Sequence, residues 1–223
     1  MKKFDIYMKR IIVMMFIFIL GNVTTAYAIS IEATITADNH YGLYFGDWSG
    51  SILTFVGRNE LGFYGSPGSY NWSQAESFTF DITPGDYIYI AAWSDDSSAQ
   101  AILGQFVIPD LGTTILTNTL DWEVYLTFND KDDDSLEPTV AELGIEISGA
   151  SWSIVSDYID HGSSPWGNIS GISSNADWIW GSSLSPGSDY GEYQIFRTQV
   201  IPEPGTMFFL GLGGLSLLRK RKK

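Results

Sequence analysis

Four stretches of the chain alternate between apolar and polar residues, and this pattern constrains the fold more than any other feature. They are residues 31–36, 78–82, 122–128 and 143–147. Successive side chains of a β-strand point to opposite faces of the sheet, so alternation predicts a strand with one buried face. Residues 87–93 lack a polar face, which predicts a central strand that is covered on both sides.

Turn signals separate these stretches. Pro-Gly steps at 67–68, 84–85 and 186–187 are typical of turns. Further strand candidates are residues 51–56, 101–108 and 195–200. No segment of 10–15 residues shows a convincing helical period. Many short strands with turns between them predict an all-β fold, a single β-sandwich or jelly-roll domain.

The body of the chain is strongly acidic. Residues 29–201 hold 24 acidic residues and three basic ones, Arg58, Lys131 and Arg197, which gives a net charge near −21. Such a surface repels phosphate backbones and excludes nucleic-acid binding. All eight tryptophans lie between residues 48 and 180. Since acidic disordered chains are poor in aromatic residues, this segment is expected to fold.

Two residue types are scarce or absent, and this excludes several chemistries. The chain has no cysteine, which excludes disulfides, thiolate catalysis and Cys-ligated zinc or iron–sulfur sites. It has two histidines, His40 and His161, so a His-rich metal site is excluded as well.

The N-terminal segment has the order of a secretory signal peptide. Four cations precede Ile11, residues 11–20 are entirely apolar, and Ala26 and Ala28 occupy the two positions that a signal peptidase reads. The sequence therefore predicts cleavage after Ala28 and a mature N-terminus at Ile29. The alternative, a buried amphipathic helix, requires polar residues at a period near 3.6, and the apolar run has none.

The C-terminal segment also has its apolar and charged residues in separate blocks. Pro202, Glu203 and Pro204 precede an uncharged run, residues 206–218, and five cations end the chain. As a helix this run spans about 20 Å, against about 30 Å of hydrocarbon, so it is a marginal anchor unless the cations snorkel. Cations hold their flank in the cytoplasm. Both basic ends would then face the cytoplasm, with the acidic body exported between them as a transient hairpin.

This arrangement resembles the PEP-CTERM sorting signal of Gram-negative bacteria that produce exopolysaccharide. The resemblance implies that Pro202, Glu203 and Pro204 form the sorting motif and that an exosortase, a membrane-embedded transpeptidase-like enzyme, is a partner during export. It further implies transient inner-membrane anchoring and delivery to the cell surface or extracellular matrix. The predicted organisation is a signal peptide at 1–28, a β-sandwich at 29–199 and the sorting signal at 200–223. An ordinary C-terminal anchor is the alternative.

Two motifs in the body resemble galactose-binding-like β-sandwich domains. Residues 35–44, ITADNHYGLY, are similar to the strand motif ADNxYxLY. Residues 176–180, ADWIW, followed by Phe196 and Arg197, are similar to the A-x-W-I-W and F-R motifs that open such domains. Here the W-I-W motif comes last, as in a circular permutation, which requires chain termini that lie close together. We transfer no ligand-binding residue from this resemblance.

An acidic stretch after residue 129 is a candidate Ca²⁺ site. Asp130, Asp132 and Asp134 alternate along it, and Ca²⁺ is a hard cation that takes six to eight oxygen ligands. The EF-hand pattern fails, because Ser135 and Ala141 stand where glycine and glutamate are required. The alternative is a solvated acidic turn that binds nothing.

Three tryptophans are candidate sugar platforms because each lies beside an acid or an amide. Trp48 follows Asp47, Trp72 follows an asparagine, and Trp166 lies two residues before another. An exposed aromatic ring next to a polar group suits a sugar, which has both apolar faces and hydroxyl groups. The alternative is that these side chains are buried in the core, as tryptophans usually are.

No catalytic signature is present. His161 lies near Asp157, Asp160 and two serines, but catalytic triads are assembled from separated segments. With 24 acids in the body, no pair of glycosidase carboxylates can be singled out. The sequence therefore predicts a non-enzymatic exported protein of the cell surface or exopolysaccharide matrix, carbohydrate-binding or structural. The alternatives are a secreted glycan-cleaving enzyme and a coat protein without a ligand.

Overall fold

Two antiparallel β-sheets pack face to face in the computed structural model, which describes residues 28–59, 72–94, 99–132, 135–181 and 192–200. The first sheet contains β1 (Ile29–Asp38), β4 (Glu76–Ile82), β6 (Ala101–Ile108), β7 (Thr113–Leu116), β10 (Asp157–Asp160) and β11 (Asp177–Trp180). The second contains β2 (His40–Gly46), β3 (Leu53–Arg58), β5 (Tyr87–Trp93), β8 (Glu123–Asp130), β9 (Ser153–Ile154) and β12 (Glu192–Gln199). The predicted all-β sandwich is confirmed.

The chain passes back and forth between the two sheets several times. The first sheet has the order β10-β11-β6-β1-β4, with β7 paired to β6, and the second has β3-β2-β5-β12-β8-β9. Consecutive strands β1 and β2 belong to different sheets, and so do β4 and β5. The chain therefore crosses from one layer to the other at the ends of the strands, as a sandwich requires.

The main core lies between the sheets and follows the predicted alternation. Ile31, Ala33 and Ile35 of β1 are fully buried in it, as are Ile88 and Ile90 of β5. The period of two places every second side chain on the inner face. Burying an aliphatic side chain of this kind contributes about 1.5–3 kcal/mol, so the alternation predicted from sequence accounts for much of the driving force.

The outer faces of both sheets are also covered. On the second sheet, Tyr89, Ala91 and Trp93 pack against Leu143 and Ile147 of a helix. Strand β5 lies between β2 and β12, so the prediction of a central strand covered on both sides is confirmed. On the first sheet, the cover is a loop, residues 161–176, and its contacts include Trp166, Ile169, Ile172, Leu103 and Trp178.

The prediction of a strand at residues 143–147 is wrong, because these residues lie in helix α1 (Val140–Gly149). Thr139 and Glu142 form a capping box, in which the Thr139 side chain accepts from the Glu142 N–H and the Glu142 carboxylate accepts from the Thr139 N–H. Leu143 and Ile147 are four residues apart and share the buried face. The same two residues also fit an alternating pattern, which is why the sequence pattern predicts a strand here.

The two ends of the described body lie at the same end of the sandwich. Ile29 pairs with Ile82, and the Val200 N–H donates to the Asp86 carbonyl at 3.4 Å. The turn at 83–86, the Pro-Gly turn predicted there, joins these two places. We call this part of the sandwich the exit end. The Pro-Gly turns predicted at 67–68 and 186–187 lie outside the described residues.

Candidate functional site

A hydrogen-bonded loop at residues 47–52, which we call the tryptophan loop, follows β2 at the exit end. The Asp47 carboxylate accepts from the Ile52 N–H at 2.7 Å, from the Ser51 hydroxyl at 2.9 Å and from the Ser49 hydroxyl. The Asp47 N–H donates to the Ile52 carbonyl at 3.0 Å. The Tyr89 hydroxyl, on the sheet, donates to the Asp47 carbonyl at 2.7 Å. Asp47 therefore fixes the loop internally and to β5.

The ionisation of Asp47 reflects these contacts. Desolvation acts to raise its pKa, but the hydrogen bonds from Ser49, Ile52 and Ser51 outweigh it and lower the pKa below its ordinary value of 3.8. The carboxylate is therefore charged at neutral pH, and its oxygens are already used as acceptors inside the loop. Its role here is to hold the loop's shape.

The side chain of Trp48 points away from the core. It is 69% exposed, and Ile52 at the other end of the loop is 72% exposed. Tryptophan is highly buried on average, so a ring this exposed on a loop this well hydrogen-bonded is unusual. Of the three predicted sugar platforms, Trp48 is the one with an exposed ring.

A shallow open groove of about 570 Å³ lies between the tryptophan loop and helix α1. Two glycines allow the close approach: a Cβ on Gly144 would lie 2.7 Å from the Gly50 carbonyl oxygen. Gly50 itself has φ of +72°, which a larger residue rarely adopts. The groove has apolar walls, including the 73% exposed Ile145, and the hydroxyl groups of Ser51 and Ser148.

The prediction that Trp166 is an exposed platform does not hold, because Trp166 is 4% exposed. Its ring stacks on Trp178 with 4.5 Å between centroids. Its Nε1–H donates to the Asp38 carboxylate at 2.7 Å. The side chain covers the outer face of the first sheet, so it has no free face for a sugar.

Trp72 is intermediate in exposure between Trp48 and Trp166. Its side chain is half-buried and packs against the same outer cluster as Trp166. Its carbonyl oxygen accepts from the Thr36 hydroxyl at 2.7 Å, which attaches the segment to β1. Trp72 therefore has a smaller accessible surface than Trp48 for stacking on a ligand.

The predicted Ca²⁺ residues are only partly described. Asp132 is exposed and its carbonyl accepts from the Ser135 N–H at 2.9 Å. The side chain of Asp130 and the whole of Asp134 lie outside the described residues. Among the described residues, no group of three or more His, Asp or Glu side chains is placed to hold a metal ion. The Ca²⁺ site remains a prediction.

The three basic side chains of the body are engaged with acids or aromatic rings. Arg58 forms a salt bridge with Glu137 at 2.5 Å. Arg197 bonds Glu123 at 2.7 Å and lies 3.9 Å from the ring centroid of Trp152. Lys131 lies 5.3 Å from the Trp93 ring, and desolvation lowers its pKa. These contacts use the cations within the fold, so an anionic ligand would meet a negative surface.

His161 is held on both ring nitrogens. Nε2 accepts from the Ile169 N–H at 2.7 Å, so Nδ1 carries the proton and donates to the Ser173 carbonyl at 2.9 Å. Both contacts fix the loop that covers the first sheet. His40 is 1% exposed and stacks on Trp93 at 5.2 Å, in agreement with a structural role.

Sequence reasoning missed helix α1, and with it the groove. The signal was present in the Thr139–Glu142 capping box and in the i, i+4 spacing of Leu143 and Ile147. The exposure of Ile52 and Ile145 had no sequence signal, because both residues sit in apolar contexts that are usually buried.

The two processing regions border the described body. Ala28 is the first described residue and is exposed. Pro202, Glu203 and Pro204 lie outside the described residues, as does the apolar run at 206–218. Within the part of the chain that is described, no helix is long and apolar enough to cross a membrane.

Comparison with known proteins identifies one element. Residues 200–222 match the PEP-CTERM protein-sorting motif. No curated protein and no solved structure matches the chain significantly. The resemblance to galactose-binding-like domains is compatible with the two-sheet fold and stays a prediction.

Proposed function

We propose that the chain is a non-enzymatic, carbohydrate-binding protein of the cell surface or exopolysaccharide matrix, and that the tryptophan loop contacts the glycan. The PEP-CTERM motif indicates an exported protein that an exosortase processes during export. The proposal concerns the body after sorting: its carbohydrate ligand, its final location and the absence of catalysis.

The observation that carries the proposal is the exposed ring of Trp48 on a loop that Asp47 holds in place. A sugar ring presents a face of C–H groups that packs on an indole, while its hydroxyls seek nearby polar groups. A platform that is already ordered loses little entropy on binding. Ser51 and the groove beside α1 supply hydroxyl groups and apolar walls within the same loop region.

The electrostatics of the body favour particular glycans. Its net charge near −21 and its engaged cations oppose uronate-rich or sulfated polymers. The proposal therefore names neutral or amino-sugar polysaccharides as ligands. Retention of the protein on such a polymer should vary little with salt if the polymer is neutral, and should weaken with salt if it carries ammonium groups.

The proposal is tested in a host that contains the sorting enzyme and makes exopolysaccharide. The wild-type protein is expected in the matrix fraction, and the Trp48→Ala variant in the medium. Trp48→Tyr, which keeps an aromatic face, should restore retention. Leu136→Ala is the matched control, since Leu136 is 65% exposed and lies beside Glu137, which pairs with Arg58 at the end of β3 that is remote from the tryptophan loop. Equal retention of the wild type and Trp48→Ala would overturn the role of the loop.

Two assays on the released protein in vitro distinguish the proposal from two rival functions. A glycan-cleaving enzyme would liberate reducing ends from the polysaccharide, and we expect none above the buffer control. A coat protein without a ligand would fail to bind any polymer on a glycan array. Binding without release of reducing ends supports the proposal, and either other result contradicts it.

A further inference from the structure

We infer that the groove between the tryptophan loop and α1 receives the acetamido group of an N-acetylated amino sugar, while the sugar chain lies on Trp48. This inference rests on the proposed function, since it names the class of glycan that the same loop contacts. It narrows the neutral and amino-sugar polymers named above to those that carry N-acetyl groups.

The first step is the composition of the groove, which differs from that of the body around it. The body carries a net charge near −21, but none of the described residues that line the groove is charged. A charged group would lose hydration there without gaining an ionic partner, so the occupant should be uncharged. The lining combines aliphatic side chains, glycines and two serines: Gly50, Ser51, Ile52, Leu53, Val140, Ala141, Gly144, Ile145 and Ser148.

The sequence of α1 produces this uncharged face. With 3.6 residues per turn, the five groove residues of the helix form one stripe along it. The acids Glu142 and Glu146 fall outside the stripe. Glu142 is used in the capping box with Thr139, and the Glu146 carboxylate accepts from the Asn129 amide. The helix therefore presents an apolar stripe and Ser148 to the groove, and its acids lie elsewhere.

The second step is the hydrogen-bonding capacity of the two serines. The Ser51 hydroxyl donates to the Asp47 carboxylate at 2.9 Å, and the Ser148 hydroxyl donates to the Ile145 carbonyl at 2.8 Å. A hydroxyl has one proton to donate and two lone pairs that can accept. The Ser49 hydroxyl oxygen lies 3.0 Å from that of Ser51, so one lone pair of Ser51 is left for a ligand. Both serines therefore offer a ligand an acceptor, because their protons are used within the protein.

Backbone N–H groups on the loop side of the groove are also used within the protein. The Gly50 N–H donates to the Asp47 carbonyl at 3.1 Å, and the Ile52 N–H donates to the Asp47 carboxylate at 2.7 Å. On the other side, Gly144, Ile145 and Ser148 lie within α1, where N–H groups bond to carbonyls four residues earlier. The groove therefore favours a ligand group that combines a hydrogen-bond donor with an apolar part.

An acetamido group has this combination. Its N–H can donate to a serine oxygen, and its methyl group can pack against Ile52 and Ile145, which are 72% and 73% exposed. Its carbonyl oxygen can remain at the open side of the groove, where water donates to it. An O-acetyl group lacks the N–H, a plain hydroxyl lacks the methyl group, and an ammonium group would lose hydration. The N-acetyl group is therefore the sugar substituent that the groove suits best.

The position of the groove allows one glycan to use both the groove and Trp48. Trp48 lies two residues before Gly50, which is the first loop residue in the groove lining. The groove volume of about 570 Å³ falls within the range of about 300–1,000 Å³ for small-ligand sites. A chain that stacks on Trp48 therefore has room to place a substituent between the loop and α1.

The inference is tested with the released protein and the purified exopolysaccharide of its host, in four forms. The first is the native polymer, and the second has been treated with mild alkali, which removes O-acetyl esters but keeps N-acetyl groups. The third has been treated with hot concentrated alkali, which also removes N-acetyl groups, and the fourth is the third after re-N-acetylation with acetic anhydride. Titrations in 1 M salt, where the Debye length is about 3 Å, keep the attraction between the acidic body and new ammonium groups small.

We expect the native, mildly treated and re-N-acetylated polymers to bind with similar affinities. The N-deacetylated polymer should bind about tenfold more weakly or worse, because the groove then loses both its apolar and its donor contact. An unchanged affinity after N-deacetylation would overturn the inference. A loss after mild alkali as large as the loss after hot alkali would overturn it too, since O-acetyl groups would then be the ones recognised.

A variant of the groove wall locates the effect. Ile145→Ser replaces an apolar wall with a polar side chain, and it should weaken binding of the re-N-acetylated polymer about fivefold while leaving the N-deacetylated polymer unaffected. Ile154→Ser is the matched control, because Ile154 is 72% exposed on β9, at the edge of the second sheet opposite to β3. Five strand spacings separate these edges, about 24 Å. Equal losses for the two variants, with unchanged unfolding midpoints, would overturn the assignment to the groove.

The same titrations separate the inference from the proposed function. If Trp48→Ala weakens binding of every form of the polymer and N-deacetylation has no effect, the proposed function stands and the inference fails. If no form of the polymer binds to the wild-type protein, the proposed function fails and the inference falls with it.

Discussion

Trp48 and Trp166 have similar sequence surroundings and opposite positions in the fold. Each has a polar neighbour that suggested a sugar platform, Asp47 for the first and Asn168 for the second. Trp48 is 69% exposed, whereas Trp166 is 4% exposed and stacks on Trp178. Neighbouring residues therefore do not decide whether a tryptophan serves a ligand or the core.

The position of each loop relative to the outer faces of the sheets accounts for whether its tryptophan is buried or exposed. The loop with Trp166 lies over the outer face of the first sheet, which would otherwise expose Leu103 and Trp178. The tryptophan loop lies at the end of the second sheet, whose outer face is already covered by α1 through Leu143 and Ile147. Trp48 therefore lies at the end of a sheet whose outer face is already covered, and its ring is exposed.

The largest expected effect is on Trp166. Trp166→Ala removes a buried ring that stacks on Trp178, and it should lower the free energy of unfolding by about 3–5 kcal/mol. Trp48→Ala should change it by less than about 0.5 kcal/mol, since the ring is exposed. Urea denaturation of the released protein measures both. A cost for Trp48→Ala equal to that for Trp166→Ala would remove the contrast between the two residues.

The hydrogen bond between Trp166 and Asp38 accounts for a smaller part of the unfolding free energy that Trp166 contributes. Trp166→Phe keeps an aromatic ring at this position, although a smaller one, and removes the Nε1–H donor to the carboxylate of Asp38, a residue that is 8% exposed. We expect a loss of about 1–3 kcal/mol in unfolding free energy. A double-mutant cycle with Asp38→Asn isolates the pair, and additive losses in that cycle would show that the hydrogen bond is not the cause.

The pH dependence of the tryptophan loop should be confined to acid. The pKa of Asp47 is lowered in the folded protein, so its contribution is fully present above the ordinary value of 3.8 and is lost as the pH falls through the lowered value. The emission of Trp48, taken as wild type minus Trp48→Phe, should be constant between about pH 8 and pH 5 and should change below about pH 4. Asp47→Asn should abolish this acid transition. A transition near neutral pH would mean that another group controls the loop.

The smallest expected effect concerns Ca²⁺. A body with a net charge near −21 should gain stability from a divalent cation, and we expect a rise in Tm of about 2 °C between chelator and millimolar Ca²⁺. Asp132→Asn combined with Asp134→Asn should abolish the rise if the site is specific. An equal rise with Mg²⁺ would indicate general screening, and no rise at all would reject the prediction.

The sequence predicted the strands of the main core well, because Ile31, Ala33 and Ile35 alternate with the polar residues Glu32 and Thr34 and are buried together. It also predicted the sorting motif, since that signal is local and ordered. It did not predict α1, where Leu143 and Ile147 fit both periods, or the burial of Trp166. These depend on which element covers the outer face of each sheet, and that is settled by contacts between distant segments.

The most direct test of the account is the affinity of the released protein for the purified exopolysaccharide of its host, measured by titration calorimetry. We expect Trp48→Ala to bind about tenfold or more weakly than the wild type, with an unchanged free energy of unfolding, because the loss of a central aromatic contact costs more than about 1.4 kcal/mol of binding. Leu136→Ala should bind as the wild type does, because Leu136 lies beside the Arg58–Glu137 pair at the opposite end of the second sheet. Equal affinities for the wild type and Trp48→Ala would contradict the account, because the exposed ring would then have no part in binding.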